Sequence, residues 1–245
     1  GLAGTLSGTV SVTGCRVYLD PASDGLSTKT KRDIWLDGDV TGGLVGHVKN
    51  GAEVVIDRSF AATVLQGTTA GGGLIGSISG GIKETRIESS YADCYLYSNM
   101  TNGQTGGLIG GSEGKAGVAT RPIDLLNCYA AGFQEAAVTA GLSAGPVYRM
   151  DCCYSAATGL KANELTYSTT VPHGTMEEAK DGFYLAASAD AAHDVPETKK
   201  VTHTEWSGAS RPAAANRLGG AFTAVTGGGS TNAYNLMEGM GLTDY

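Results

Sequence analysis

A chain of 245 residues, 41% of them hydrophobic, can bury a core as one elongated domain or two small ones, which excludes a disordered segment. Its net charge of −7, with seventeen Lys and Arg and no basic cluster, speaks against nucleic acid, and no run of eighteen apolar residues suggests membrane insertion. Thirty-eight glycines beside six prolines is about twice the usual glycine share, without a collagen triplet, and implies many tight turns.

The start, GLAGTLSGTV, lacks the basic and apolar regions of a signal peptide, so a soluble mature or excised segment is expected. Residues 1–40 read as an N-terminal cap or degenerate first coil. Two short alternating strands flank Gly14, and the polar loop PASDGLSTKTKRD follows.

From residue 41 to 158 two landmarks recur in constant order. The first is GGLVG at Gly42–Gly46, GGLIG at Gly72–Gly76 and again at Gly106–Gly110, with AGLSAG at Ala140–Gly145 as a divergent copy. The second is RSFAA, SSYAD, NCYAA and CCYSA, centred on Phe60, Tyr91, Tyr129 and Tyr154. Leu44, Leu74, Leu108 and Leu142 keep a spacing of 30, 34 and 34 residues while the connections vary in length. Fixed landmarks with variable links describe stacked units, since one unit cannot bury its own apolar face.

Segments such as EVVIDRSF and ETRIESSYADCYL are β-branched and aromatic with period-two alternation, which favours strand over helix. Glycines flanking one buried leucine would let neighbouring backbones approach where a Cβ would clash. The reading is an all-β, right-handed parallel β-helix, or β-solenoid, of about 30-residue repeats. Residues 159–245 read as an irregular cap or small subdomain, with a short helix over HGTMEEAKDG, where Thr175 and Glu178 form a capping box.

The paired landmarks resemble GLUG-motif repeats, whose core stands here as GLVG, GLIG and GLIG over roughly half the chain. The resemblance implies a bacterial surface or secreted protein of adhesin-like or pilin-like type, with a right-handed parallel β-helix and no catalytic residues. The expected function is a non-catalytic, extracellular adhesion, filament or stalk module of a larger surface protein, binding a host or microbial glycan or protein and needing no cofactor. Polysaccharide-processing β-helix enzyme and purely structural spacer are the alternatives.

The longest connection, Gly111–Asp124, is the first candidate for a contact surface, with Ser112, Glu113, Lys115, Arg121 and Asp124 as its polar residues. The enzyme alternative would draw on Asp57, Arg58, Glu84, Arg86, Glu88 and Asp93, which fall near equivalent positions of successive units. Ser143 sits in a formal GxSxG but at the repeat position of Val45, Ile75 and Ile109, without the strand-to-helix elbow that a nucleophile needs. Asp37 and Asp39 lack the further acidic positions of a calcium loop, and a solvated turn is the simpler reading.

His47, His173, His193 and His203 are scattered and read as surface residues. Five cysteines, Cys15, Cys94, Cys128, Cys152 and Cys153, lack metal-ligand spacing. Cys128 and Cys153 precede landmark tyrosines. Stacking would set them on neighbouring rungs as a buried ladder position shared with Ser59 and Ser90, or as a disulfide.

Overall fold

A computed structural model describes residues 1–18, 36–111, 123–144, 149–151, 153–155, 183–185, 200–201, 222–224 and 234–236. The described part is all-β, with parallel strands in three sheets and no helix among the described residues, an arrangement that fits a β-solenoid. The segment expected to form a short helix lies outside the described residues.

Successive tiers add their strands to the three sheets in chain order. The first sheet takes β1 (Ala3–Leu6), β5 (Val45–Val48) and β9 (Ile75–Ile78), and single bridges carry the same column on through Ile109 and Ser143. The second sheet takes β2 (Thr9–Thr13), β6 (Glu53–Asp57), β10 (Glu84–Glu88), β13 (Ile123–Leu126) and β16 (Arg149–Asp151). Its burial alternates strictly in β6 and β10, so Val54, Ile56, Thr85 and Ile87 face inward.

The third sheet takes two strands from most tiers. One set is β3 (Arg16–Tyr18), β7 (Phe60–Ala62), β11 (Tyr91–Tyr97), β14 (Tyr129–Glu135) and β17 (Tyr154–Ser155). The other is β4 (Leu36–Gly42), β8 (Val64–Gly72), β12 (Gln104–Gly106) and β15 (Val138–Ala140). The repeat motif fades at Thr158, yet parallel pairing carries on through β18 (Phe183–Leu185) and β19 (Lys200–Val201). Farther on, β20 (Phe222–Ala224) and β21 (Tyr234–Leu236) form an antiparallel pair. One apolar core draws on all three sheets, from Val45 and Ile75 through Val54 and Ile87 to Leu65 and Leu96.

The glycine pentapeptide is where successive tiers come closest. Leu44, Leu74, Leu108 and Leu142 are completely buried, and each leucine carbonyl after the first accepts two backbone N–H groups from the tier before. Leu74 O, for example, receives Leu44 N at 3.0 Å and Val45 N at 2.9 Å. A Cβ on Gly43, Gly73 or Gly107 would run into the next tier's glycine carbonyl and into Ala61, Ala92 or Ala130. A Cβ on Gly42, Gly72 or Gly106 would strike the carbonyl of Val45, Ile75 or Ile109.

The same register shows a first copy that the repeat search overlooks. Ala3 pairs with Val45, and Leu2 N and Ala3 N both donate to Leu44 O, so GLAG at Gly1–Gly4 is the motif's first occurrence.

A second ladder turns the chain from the second sheet to the third. Gly14, Arg58, Ser89 and Asn127 occupy equivalent positions with φ of 64°, 45°, 47° and 51°, a left-handed conformation uncommon outside glycine. The next residue is always small and carries a polar γ atom: Cys15, Ser59, Ser90 and Cys128. Ser59 Oγ donates to Asp57 O at 2.8 Å and accepts Cys15 N at 3.1 Å; Ser90 Oγ donates to Glu88 O at 2.7 Å and accepts Ser59 N at 3.1 Å. These side chains satisfy backbone groups that the sharp corner takes out of the sheet ladders. Beside them Phe60, Tyr91 and Tyr129 stack with ring centroids 4.8 Å apart and planes within 6°.

Replacing Gly73 by alanine is therefore expected to cost about 3 kcal/mol or more, because the clash is with backbone on one side and a buried alanine on the other. Gly4→Ala, with nothing within 4 Å of the added methyl, should stay within about 0.5 kcal/mol of the parent. Chemical denaturation midpoints of the two variants check the difference.

Candidate functional site

The outer face of the second sheet gathers the largest set of charged residues that the sequence singles out. Strict alternation turns Glu53, Val55 and Asp57 of β6, and Glu84, Arg86 and Glu88 of β10, to the half-exposed side. Register then builds three columns along the stack. Thr9, Glu53 and Glu84 form one; Ser11, Val55, Arg86 and Asp124 the next; Thr13, Asp57, Glu88 and Leu126 the third.

Carboxylates one rung apart, ~4.8 Å, repel each other. The tiers offset this internally: Arg58 Nε lies 3.1 Å from Asp57 Oδ2, and an Arg86 amino group 2.6 Å from Glu88 Oε2. Half-exposed pairs of this kind contribute about 0–1 kcal/mol each. The carboxylates run in columns rather than converging on one point.

The sequence-derived set is thus divided by the fold. Asp57, Glu84, Arg86 and Glu88 share this face, with Arg58 at its edge in the left-handed corner. Asp93 does not join them: it lies on β11 in the third sheet, opposite Ala131, because the corner at Ser89 falls between it and β10. Asp124 also differs from its expected place in a loop. It is half-buried on β13, paired in register with Arg86, because strand pairing resumes at Ile123. Ser112, Glu113, Lys115 and Arg121 lie outside the described residues.

Other candidates fall in place around the stack. Ser143 is buried and bridges to Ile109, as its repeat position requires. Asp39 sits where the β4–β8 register shifts and accepts a hydrogen bond from Thr68 Oγ1 at 2.9 Å. Among the described residues no three His, Cys, Asp or Glu side chains are grouped so as to hold a metal ion. Nor is any helix among them long and apolar enough to cross a membrane.

His47 is not a free surface residue: its Nδ1 is 2.6 Å from Ser77 Oγ and its Nε2 2.9 Å from Ser79 Oγ, clamping one tier of the first sheet to the next. His173, His193 and His203 lie outside the described residues. Cys15, Cys94, Cys128 and Cys153 form no disulfide, and Cys128 donates to Leu126 O at 3.1 Å in the corner ladder.

A further polar and aromatic patch escapes the repeat analysis. On the outer side of the third sheet Tyr95 and Phe133 stack with centroids 5.4 Å apart, and Tyr95 Oη donates to Glu135 Oε2 at 2.9 Å. Phe133 is 39% exposed. The signal was the period-two spacing of Tyr95 and Tyr97 in YADCYLY, which register sets opposite Phe133 and Glu135.

Compared with protein-family models, curated proteins and solved structures, the chain matches none.

Cys94 illustrates how completely the interior excludes water. Burial pushes its thiol from 9.0 up to about 12. Below pH 9 both folded and unfolded thiols stay protonated; between pH 9 and 12 only the unfolded one ionises, so stability falls as pH rises. Cys94→Ala should remove a slope of up to about 1.4 kcal/mol per pH unit in that window. Denaturant titrations of parent and variant at pH 8, 10 and 11 measure it.

Proposed function

We propose that the chain is a closed, right-handed β-solenoid of GLUG-type repeats that serves as a non-catalytic adhesion, filament or stalk module on a bacterial cell surface. The observation that carries this reading is the constancy of register against the inconstancy of the connections. Between the first and second sheets, Val48 leads to Glu53 and Ile78 to Glu84 by short links, while the next tier takes the chain from Gly111 to Ile123. Thr85 still pairs with Ile123 as Val54 pairs with Thr85.

A scaffold whose rungs ignore insertion length is suited to presenting variable loops on a stiff rod. The acidic net charge and the Tyr95–Phe133–Glu135 patch suit contact with a glycan or protein rather than with nucleic acid. The alternative of a polysaccharide-processing enzyme is favoured by one feature, the shared face of Asp57, Glu84, Arg86 and Glu88. Against it, Asp57 and Glu88 are each held in an ion pair with an arginine of their own tier, and the carboxylates run along the face in columns instead of converging as an acid and base pair would.

Arrays of glycans and of extracellular host proteins, probed with the parent chain and with a variant in which residues 112–122 are replaced by a short Gly-Ser loop, test the proposal. Binding by the parent, lost in the variant at unchanged thermal stability, is the expected result. Absence of binding by both would contradict an adhesin and favour a spacer.

A further inference from the structure

We propose that Ser79 is an activated hydroxyl, a modification site at which the chain takes up an acyl group from an electrophilic ester, with His47 as the base. The site is additional to the binding role above and does not rest on it. His47 reaches two serines of the next tier: its Nδ1 is 2.6 Å from Ser77 Oγ and its Nε2 2.9 Å from Ser79 Oγ. Both separations fall in the range of about 2.6–3.2 Å over which a base takes a proton from a hydroxyl.

The two serines differ in their surroundings, and the difference divides their roles. Ser77 is 7% exposed and stands on β9 opposite His47 in register. Ser79 is half-buried, one residue past the end of β9, and is followed by Gly80 and Gly81, which carry no side chain to shield it. With the ring proton on Nδ1, Ser77 Oγ accepts it and fixes the ring, and Nε2 turns its lone pair to the Ser79 O–H. A base held by a third group against an accessible hydroxyl is the arrangement that turns serine, otherwise a weak nucleophile, into a reactive one.

The frame around the three residues is stiff. Ser79 N donates to Val48 O at 2.9 Å and Ile78 N to Gly111 O at 3.0 Å, so the segment that carries both serines is tied to the tiers on either side. His47 is set by β5, which pairs in register with β1 and β9. The repeat does not itself call for these side chains, since the row that holds His47 and Ser77 holds Thr5 one tier earlier. In the step, Ser79 Oγ bonds to the carbonyl carbon of the ester while its proton passes to His47 Nε2. The bond from that carbon to the leaving alkoxide then breaks, and the alkoxide departs with the proton from Nε2. The acyl group stays on Ser79 as an ester, and His47 is neutral again.

The probe is a fluorophosphonate ester, which bonds through phosphorus to activated serines with loss of fluoride. The whole chain is treated, and labelling at each serine is followed in time by peptide mass spectrometry. Ser89 is the internal reference, half-buried like Ser79 but placed at the corner between the second and third sheets. Ser79 should label about a hundredfold faster than Ser89, the scale of general-base assistance. His47→Gln keeps a side chain that can hydrogen-bond but takes no proton, and should lower Ser79 to the Ser89 rate while thermal unfolding stays cooperative. Equal labelling of Ser79 and Ser89 in the parent, or a folded His47→Gln chain that labels Ser79 at the parent rate, overturns the proposal.

Discussion

Successive tiers of this protein must pass one another at backbone contact distance at the same corner, and most of its sequence regularity follows from that constraint. The leucine carbonyl of one tier takes two N–H groups from its neighbour, which holds the backbones so close that a side chain at Gly43, Gly73 or Gly107 has nowhere to go. Once that contact fixes the rung, the three sheets share a register over the matched tiers, and the leucines, the alternating valines and isoleucines and the aromatic stack fall into columns. The contact therefore requires the same short motif in each tier, while the connections between tiers differ in length.

The second corner solves a different problem with different chemistry. A left-handed residue turns the chain, and Arg58 and Ser89 adopt that conformation although they are not glycine, a cost of about 1–2 kcal/mol apiece. The following serine or cysteine recovers backbone hydrogen bonds that the turn would otherwise leave unmade. This accounts for much of the cysteine content: Cys15, Cys128 and Cys153 stand where serine stands in other tiers, as small polar ladder residues.

The interior of the fold was largely legible in the sequence. Buried columns at Leu44, Leu74, Leu108 and Leu142, and the stack of Phe60, Tyr91 and Tyr129, follow from landmarks recurring in order. The ends were less so. GLAG at the start lies 42 residues before its next copy, because the segment between β3 and β4 interrupts the period, and it has alanine where the next three copies carry valine or isoleucine. DGFYL lacks the serine or cysteine of its predecessors, so the pairing of Phe183 with Tyr154 left no motif to find. Surface groupings were harder still. Which charges share a face depends on where the corners fall, and a corner at Ser89 separates Asp93 from Glu88 although only four residues lie between them in sequence.

The account rests on parallel rungs built from residues some thirty positions apart. The most direct measurement is a set of backbone nuclear Overhauser contacts in a uniformly labelled, deuterated sample, centred on Val54, Thr85 and Ile123. Parallel stacking predicts contacts from Val54 to Thr85 and from Thr85 to Ile123, with none of the antiparallel cross-strand pattern between β6 and β7. Contacts of the antiparallel type between sequence-adjacent strands, in place of these long-range ones, would contradict it.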